Sequence, residues 1–222
     1  MTTGEWAPYT SETLEGYGFF TEIVTAIFDE MGRTPQYEFY PWQRAEQAVQ
    51  DGEAWAAFPY SYSEERALTF AFSDAVANST TVFFYYKPHM EAVKWEELAD
   101  LKPYTIGGVL GYFYEGTFKE AGLTTDYTSS EELAIKKLQA GRVDLLPMTP
   151  LVAWPQIKTL FPDEVENFGT LEKPLAETTL CLMIQKDNQE SVLLLEQFNA
   201  ALQAIKEKGV YQEILTKYGI PE

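Results

Sequence analysis

Residues that carry chemistry are scarce in this chain of 222 residues, which has one cysteine and one histidine. Cys181 finds no second thiol in the sequence, so no internal disulfide braces the fold. Its setting in the apolar run Leu180–Ile184 reads as that of a buried spectator. The histidine, His89, follows Lys87-Pro88 in a stretch that reads as an exposed linker, a setting for a surface side chain rather than a general base. No His/Cys/carboxylate cluster has metal-ligand spacing, and neither a Gly-x-Ser-x-Gly nor a phosphate-loop motif occurs. The sequence therefore predicts no cofactor, no metal and no enzyme. No apolar run reaches membrane-spanning length. Positive charge is short as well: 16 basic residues stand against 34 acidic ones, net −18. Such a surface repels nucleic acid and anionic lipid and excludes both as partners.

What is present is apolar. Hydrophobic residues make up 45% of the chain, which excludes disorder, and the length allows one large domain or two lobes with cores of their own. Met1 is followed at once by polar Thr2 and Thr3, so no leader is visible; the expectation is an exported protein whose leader has been removed.

Strands and helices alternate, which predicts α/β layering. Phe19, Phe20, Ile23, Val24, Ile27, Phe28 and Met31 recur at helical spacing before Gly32. A strand over 36–40, a helix over 42–50 closed by Gly52 and an apolar strand over 54–58 follow. Residues 81–86 form a β-branched and aromatic run without polar alternation, read as a crossing strand. The scheme then restarts with a strand over 104–109, a helix over 115–121, a strand near Tyr127, a helix capped by Ser129, a strand over 143–146 and a helix over 151–160. Residues 179–185 read as a second crossing strand, and Asp187 with Glu190 as the cap of a helix running to Lys208. Helix, Gly52, strand, Pro59, Ser61 is echoed by helix, Gly141, strand, Pro147, Thr149, which suggests two similar halves.

Ser63-Glu64-Glu65-Arg66, followed by Phe72-Ser73-Asp74, is the most informative stretch. A guanidinium near a strand end beside small hydroxyl residues is a bidentate receptor for a carboxylate. On local spacing alone it is equally a surface arginine in a turn, with Ser61 and Glu64 as a capping box. Four further motifs accompany it in order: Gly4-Glu5-Trp6-Ala7-Pro8, Gly18-Phe19-Phe20-Thr21-Glu22-Ile23, Leu138-Gln139-Ala140-Gly141-Arg142-Val143-Asp144, and Lys208-Gly209-Val210-Tyr211 with Lys217-Tyr218-Gly219. Together they resemble the family 3 extracellular solute-binding proteins of bacterial ABC importers, over essentially the whole chain.

The resemblance implies an α/β fold of the two-lobed type II periplasmic binding protein kind with two crossing hinge strands. Lobe 1 would comprise residues 1–84 and 184–222, lobe 2 residues 85–183. It implies a monomer that closes on a small-molecule ligand, an organic acid or modified amino acid, and is then recognised by an ABC permease. Arg66 would grip a ligand carboxylate; Trp6 and Trp42 would stack on its body; Tyr60 and Ser61 would add donors to the same anion. Glu5 would face either the ligand or solvent. Two departures stand out. Thr149 takes the slot of the aspartate that pairs with an α-ammonium in amino-acid binders, and a threonine has no countercharge to give a desolvated ammonium. Tyr112, Phe113 and Tyr114 stand where hydroxylic donors are usual, adding π surface to the ligand site. The expected ligand is thus not a general α-amino acid. Two alternatives stay open: the sensing domain of a signalling receptor, and a dehydratase on the same fold with Glu5 or Glu115 as its acid.

Overall fold

A computed structural model describes residues 1–220. In chain order the elements are β1 (Thr2–Thr3), α1 (Phe19–Glu30), β2 (Glu38–Phe39), α2 (Trp42–Gln50), β3 (Ala56–Ser61), α3 (Glu64–Ala67), β4 (Phe70–Phe72), β5 (Ala77–Tyr86), β6 (Thr105–Val109) and α4 (Glu115–Ala121). Then come β7 (Thr124–Thr128), α5 (Glu131–Gln139), β8 (Leu145–Met148), α6 (Pro150–Leu160), β9 (Phe168–Thr170), β10 (Ala176–Gln185), α7 (Gln189–Glu207) and α8 (Val210–Lys217). The architecture is α/β, as the alternation of patterns predicts. The chain divides into two compact units, Met1–Asn78 with Thr178–Glu222, and Ser79–Glu177. It passes between them twice, inside β5 and inside β10.

In the first unit, β1 runs parallel to both β2 and β3, while β10 pairs antiparallel with β3 and β4. All six residues of β3 are buried, which explains its unbroken apolar reading. The periodic face of α1 is buried as predicted: Phe19, Phe20, Ile23, Val24, Ile27 and Phe28 all lie in the core. Phe20 stacks on Phe58 with centroids 5.9 Å apart; burying one such side chain contributes roughly 1.5–3 kcal/mol. Gly32 ends the helix at φ +68°, a conformation that costs glycine nothing.

In the second unit, β6 lies parallel to β7 and β8, and β5 pairs antiparallel with β8 and β9. Its core gathers Phe83, Trp95, Leu101, Ile106, Phe118 and Leu145. Asp144, in the Gly-Arg-Val-Asp motif, accepts a hydrogen bond from Thr105 N at 2.7 Å and so fixes the start of β6. The helix–glycine–strand echo is structural: Gly52 (φ +75°) and Gly141 (φ +66°) follow α2 and α5, and Pro59 and Pro147 sit within β3 and β8.

Three helix caps differ from the sequence reading. Ser63, not Ser61, caps α3, accepting Arg66 N at 3.2 Å. Ser130, not Ser129, accepts Leu133 N, and Asn188, not Asp187, accepts Ser191 N. Each true cap reaches the amide three residues on, and where the chain turns decides which of several adjacent polar residues does so. β5 and β10 each begin earlier than predicted, and the three-residue strands β4 and β9 had no pattern long enough to announce them.

Candidate ligand-binding site

In the first unit, the short loop from β3 and the Ser63 cap of α3 bring Arg66 back to the end of β3. Its Nη1 donates to the Ser61 carbonyl at 3.3 Å, and its Nε donates to Glu46 Oε2, also at 3.3 Å. The guanidinium carbon stands 4.9 Å from the centre of the Tyr60 ring, a cation–π distance. The Arg66 side chain is 15% exposed and that of Glu46 31%. Two of the five guanidinium N–H groups are thereby used. The other three have no partner among the described residues, which leaves donors for two-point capture of a carboxylate.

Tyr60 contributes its ring, not its hydroxyl. The ring is buried, and its O–H donates to the Trp42 carbonyl at 2.6 Å. Burial, reinforced by the charge of Glu46 and opposed by Arg66, pushes this phenol well above its ordinary value. The Tyr60 hydroxyl is thus engaged with the backbone of α2, and it is the ring that faces Arg66. Ser61 is buried too, and its carbonyl accepts from Arg66 and so orients the guanidinium.

Trp42 opens α2 and meets Tyr60 edge-on at 5.7 Å. Its indole lies against the backbone at Gly4, where a Cβ would stand 2.6 Å from Cε2. Trp6 stacks on buried Tyr9 with centroids 4.0 Å apart and meets Trp42 edge-on at 6.5 Å. The loop carrying it is tied by Trp6 N to Thr10 O (2.7 Å) and by the Thr10 hydroxyl to Gly4 O (2.7 Å). Tyr9, Trp6, Trp42 and Tyr60 thus form a continuous aromatic series ending at Arg66. Glu5 is exposed, and its carboxylate accepts Glu12 N at 3.0 Å, bracing the loop.

In the second unit, Gly111 turns the chain after β6 at φ +84°, and its N–H donates to the Glu115 carboxylate. Half-buried Tyr112 donates to Glu131 Oε1 at 2.8 Å, and Gln156 donates to Glu131 Oε2 at 2.7 Å. Half-buried Phe113 meets Tyr114 edge-on at 5.3 Å. Tyr114 is a correction: it is 1% exposed, stacks on Phe118 at 5.0 Å and accepts Val109 N through its hydroxyl at 3.0 Å. Within this unit it is a core residue whose oxygen satisfies a buried amide. Thr149 is buried at the N-cap of α6, its Oγ1 3.0 Å from Ser79 Oγ. Sequence reasoning missed Glu46, Glu131 and Gln156. Glu46 had a detectable signal, for it lies four residues after Trp42 on α2 and so shares its face.

His89 is exposed but engaged, with Nε2 3.1 Å from Gln139 O. Cys181 is buried, and burial pushes its thiol up. Among the described residues no helix is long and apolar enough to cross a membrane, and no group of three or more His, Cys, Asp or Glu could hold a metal ion.

The profile of the bacterial extracellular solute-binding proteins, family 3, matches residues 1–221. No curated protein matches the sequence. Among solved structures, an ancestral arginine-binding protein bound to arginine is similar at 24% identity and a TM-score of 0.80, with 97% of this chain and 96% of that one covered. A histidine kinase sensor domain with similarity to periplasmic binding proteins superposes at 20% identity and 0.84, covering 97% and 93%. An ABC uptake transporter substrate-binding protein from Streptococcus pneumoniae with bound histidine does so at 19% and 0.82, covering 98% and 91%. At these identities the structures establish the type II periplasmic binding protein fold.

Proposed function

Because the chain belongs to the bacterial extracellular solute-binding proteins, family 3, we propose that it binds a small carboxylate-bearing organic solute outside the cytoplasm and hands it to an ABC permease. It binds and releases its solute without turnover. The observation that carries this reading is Arg66: a guanidinium oriented by Ser61 O, Glu46 and the Tyr60 ring, with three N–H groups left to offer. Trp42 and Trp6 supply the adjoining wall for the body of the solute.

A thermal-shift screen of organic acids, amino acids and aromatic acids identifies the solute, and calorimetry then tests the anchor. Arg66→Ala should weaken binding by roughly 2–5 kcal/mol, the range for truncating one partner of a desolvated charge pair. Arg66→Lys, which keeps the charge but loses the planar fork, should fall between. An R66A protein that binds as tightly as wild type refutes the reading. The finer reading, in which binding is coupled to hinge motion about the two chain crossings, is checked by small-angle scattering; an unchanged radius of gyration at saturating solute counts against it.

The similarity to a histidine kinase sensor domain supports a second reading, ligand sensing for a signalling receptor. Adjacent permease genes favour transport; an adjacent or fused kinase favours sensing.

A further inference from the structure

In the first unit a cavity of about 780 Å³ lies beside α1 and the strand β2. Glu22, Thr25 and Asp29 line it from α1, Tyr37 and Glu38 from the strand side, and Tyr17 from the turn before α1. We propose that this cavity is a second binding site, for an extended organic cation of the linear di- or triamine class. It shares no residue with the surroundings of Arg66, and the proposal stands apart from the reading of that anchor.

Aromatic surface and negative charge meet there. Tyr17 is held in the left-handed region at φ +61°, where a bulky side chain is uncommon, between Gly16 at +66° and Gly18 at +91°. Both glycines are required: a Cβ would stand 2.9 Å from Glu22 Oε2 at Gly16 and 2.6 Å from Tyr9 O at Gly18. This turn sets the Tyr17 ring 6.1 Å from that of Tyr37 and 5.8 Å from that of Phe39. Tyr17 nonetheless stays 45% exposed, so part of its ring is open to a cation. Tyr37 is fixed in its turn, with its hydroxyl 2.7 Å from Thr25 Oγ1.

The spread of charge sets the class of ligand. Glu22, Thr25 and Asp29 recur at helical spacing along one stripe of α1, and the rise from Glu22 to Asp29 is about 10 Å. Asp29 and Glu38 have no ion pair among the described residues. Glu22 is paired with exposed Lys217 at 2.9 Å and Glu53, also on the wall, with exposed Arg44 at 2.6 Å; such surface pairs contribute little and yield readily to a polycation. Among the described residues no group of three or more His, Cys, Asp or Glu gathers closely enough for a metal ion. Carboxylates about 10 Å apart match instead the ends of a flexible chain bearing several ammonium groups. Besides the Met1 ammonium, which donates to Gln36 O at 2.8 Å, no cation is among the lining residues. The first 32 residues hold no lysine or arginine, so the local field favours cations.

The test uses spermidine, a linear triamine, and magnesium, a point dication. Each is titrated at constant ionic strength into the full chain while the backbone amide resonances at positions 17, 29 and 38 are followed by NMR, in wild type, Asp29→Asn, Tyr17→Asn and Glu207→Gln. Asparagine tolerates the left-handed backbone, so Y17N removes the ring and keeps the turn. Glu207, exposed at the end of α7 and outside the cavity, controls for net charge. Spermidine should shift all three wild-type resonances saturably. D29N and Y17N should each weaken it about fivefold, the scale of one exposed charge or cation–π contact. E207Q should leave it unchanged, and magnesium should bind about tenfold more weakly than spermidine. The inference is overturned if spermidine moves none of these resonances, or if E207Q weakens it as much as D29N does. It is overturned equally if Y17N binds spermidine like wild type, or if magnesium binds as tightly as the triamine.

Discussion

Replacing Gly4 by alanine should unseat Trp42, and the structure sets the size of the effect. A Cβ at Gly4 would stand 2.6, 2.7 and 2.8 Å from Cε2, Cδ2 and Cζ2 of the indole. Carbon atoms in contact prefer about 3.5–4.0 Å, so the ring must retreat by about 0.9 Å. It has little room to do so, with Tyr60 edge-on at 5.7 Å and Trp6 at 6.5 Å. Overpacking of this kind costs about 1–3 kcal/mol. The loss of unfolded-state freedom on replacing a compatible glycine returns about 0.4–1 kcal/mol. Gly4→Ala should therefore destabilise the protein by roughly 0.5–2 kcal/mol net, and it should weaken solute binding because Trp42 forms the wall beside Arg66. Urea denaturation followed by circular dichroism measures the first effect and calorimetry the second. The decisive measurement is a double-mutant cycle. In a Trp42→Ala background the clash is gone, so Gly4→Ala should become neutral or stabilising, a coupling of roughly 1–3 kcal/mol between the two sites. If Gly4→Ala is equally harmful with and without the indole, the contact is not what reserves position 4 for glycine.

Tyr114→Phe should cost roughly 1–3 kcal/mol of stability by leaving the buried Val109 N–H without its acceptor. Loss of solute affinity with unchanged stability would instead return Tyr114 to the ligand site. Asp100 accepts Glu97 N at 3.0 Å and Glu96 N at 2.9 Å, and these bonds hold its carboxyl below the ordinary carboxylate value. A depressed folded-state value means that its contribution to stability is fully present above the ordinary value and is lost as pH falls through the lowered one. Asp100→Asn should accordingly flatten the acid side of the stability–pH curve; an unchanged slope would refute that account.

Much of the architecture is legible in one sequence because it follows from local pattern. The helical spacing of Phe19 to Phe28, with Gly32 at φ +68°, defines α1 without any knowledge of its partners. The unalternating residues of β3 announce a strand buried on both faces. The place of Arg66 just beyond the end of β3 was likewise readable from its neighbours in the chain. The cap residues were less so, since Ser129 and Ser130, or Asp187 and Asn188, offer similar chemistry one position apart, and only the turn of the backbone chooses between them.

What tertiary structure decided is the identity of partners distant in sequence. Sequence determined that Arg66 is held near a strand end, but its pairing with Glu46, 20 residues earlier, exists only because α2 packs alongside β3. The same packing lays Trp42 on Gly4 and turns the Tyr60 hydroxyl toward the Trp42 carbonyl, so that the ring faces the guanidinium. In the Tyr112-Phe113-Tyr114 loop, three aromatic residues look alike in sequence, yet only Tyr114 points into the core and satisfies Val109 N. Periodicity and turn chemistry act over a few residues and survive in the unfolded chain's own order. Charge pairing, ring contact and burial act through space, and they are set only once the elements have packed.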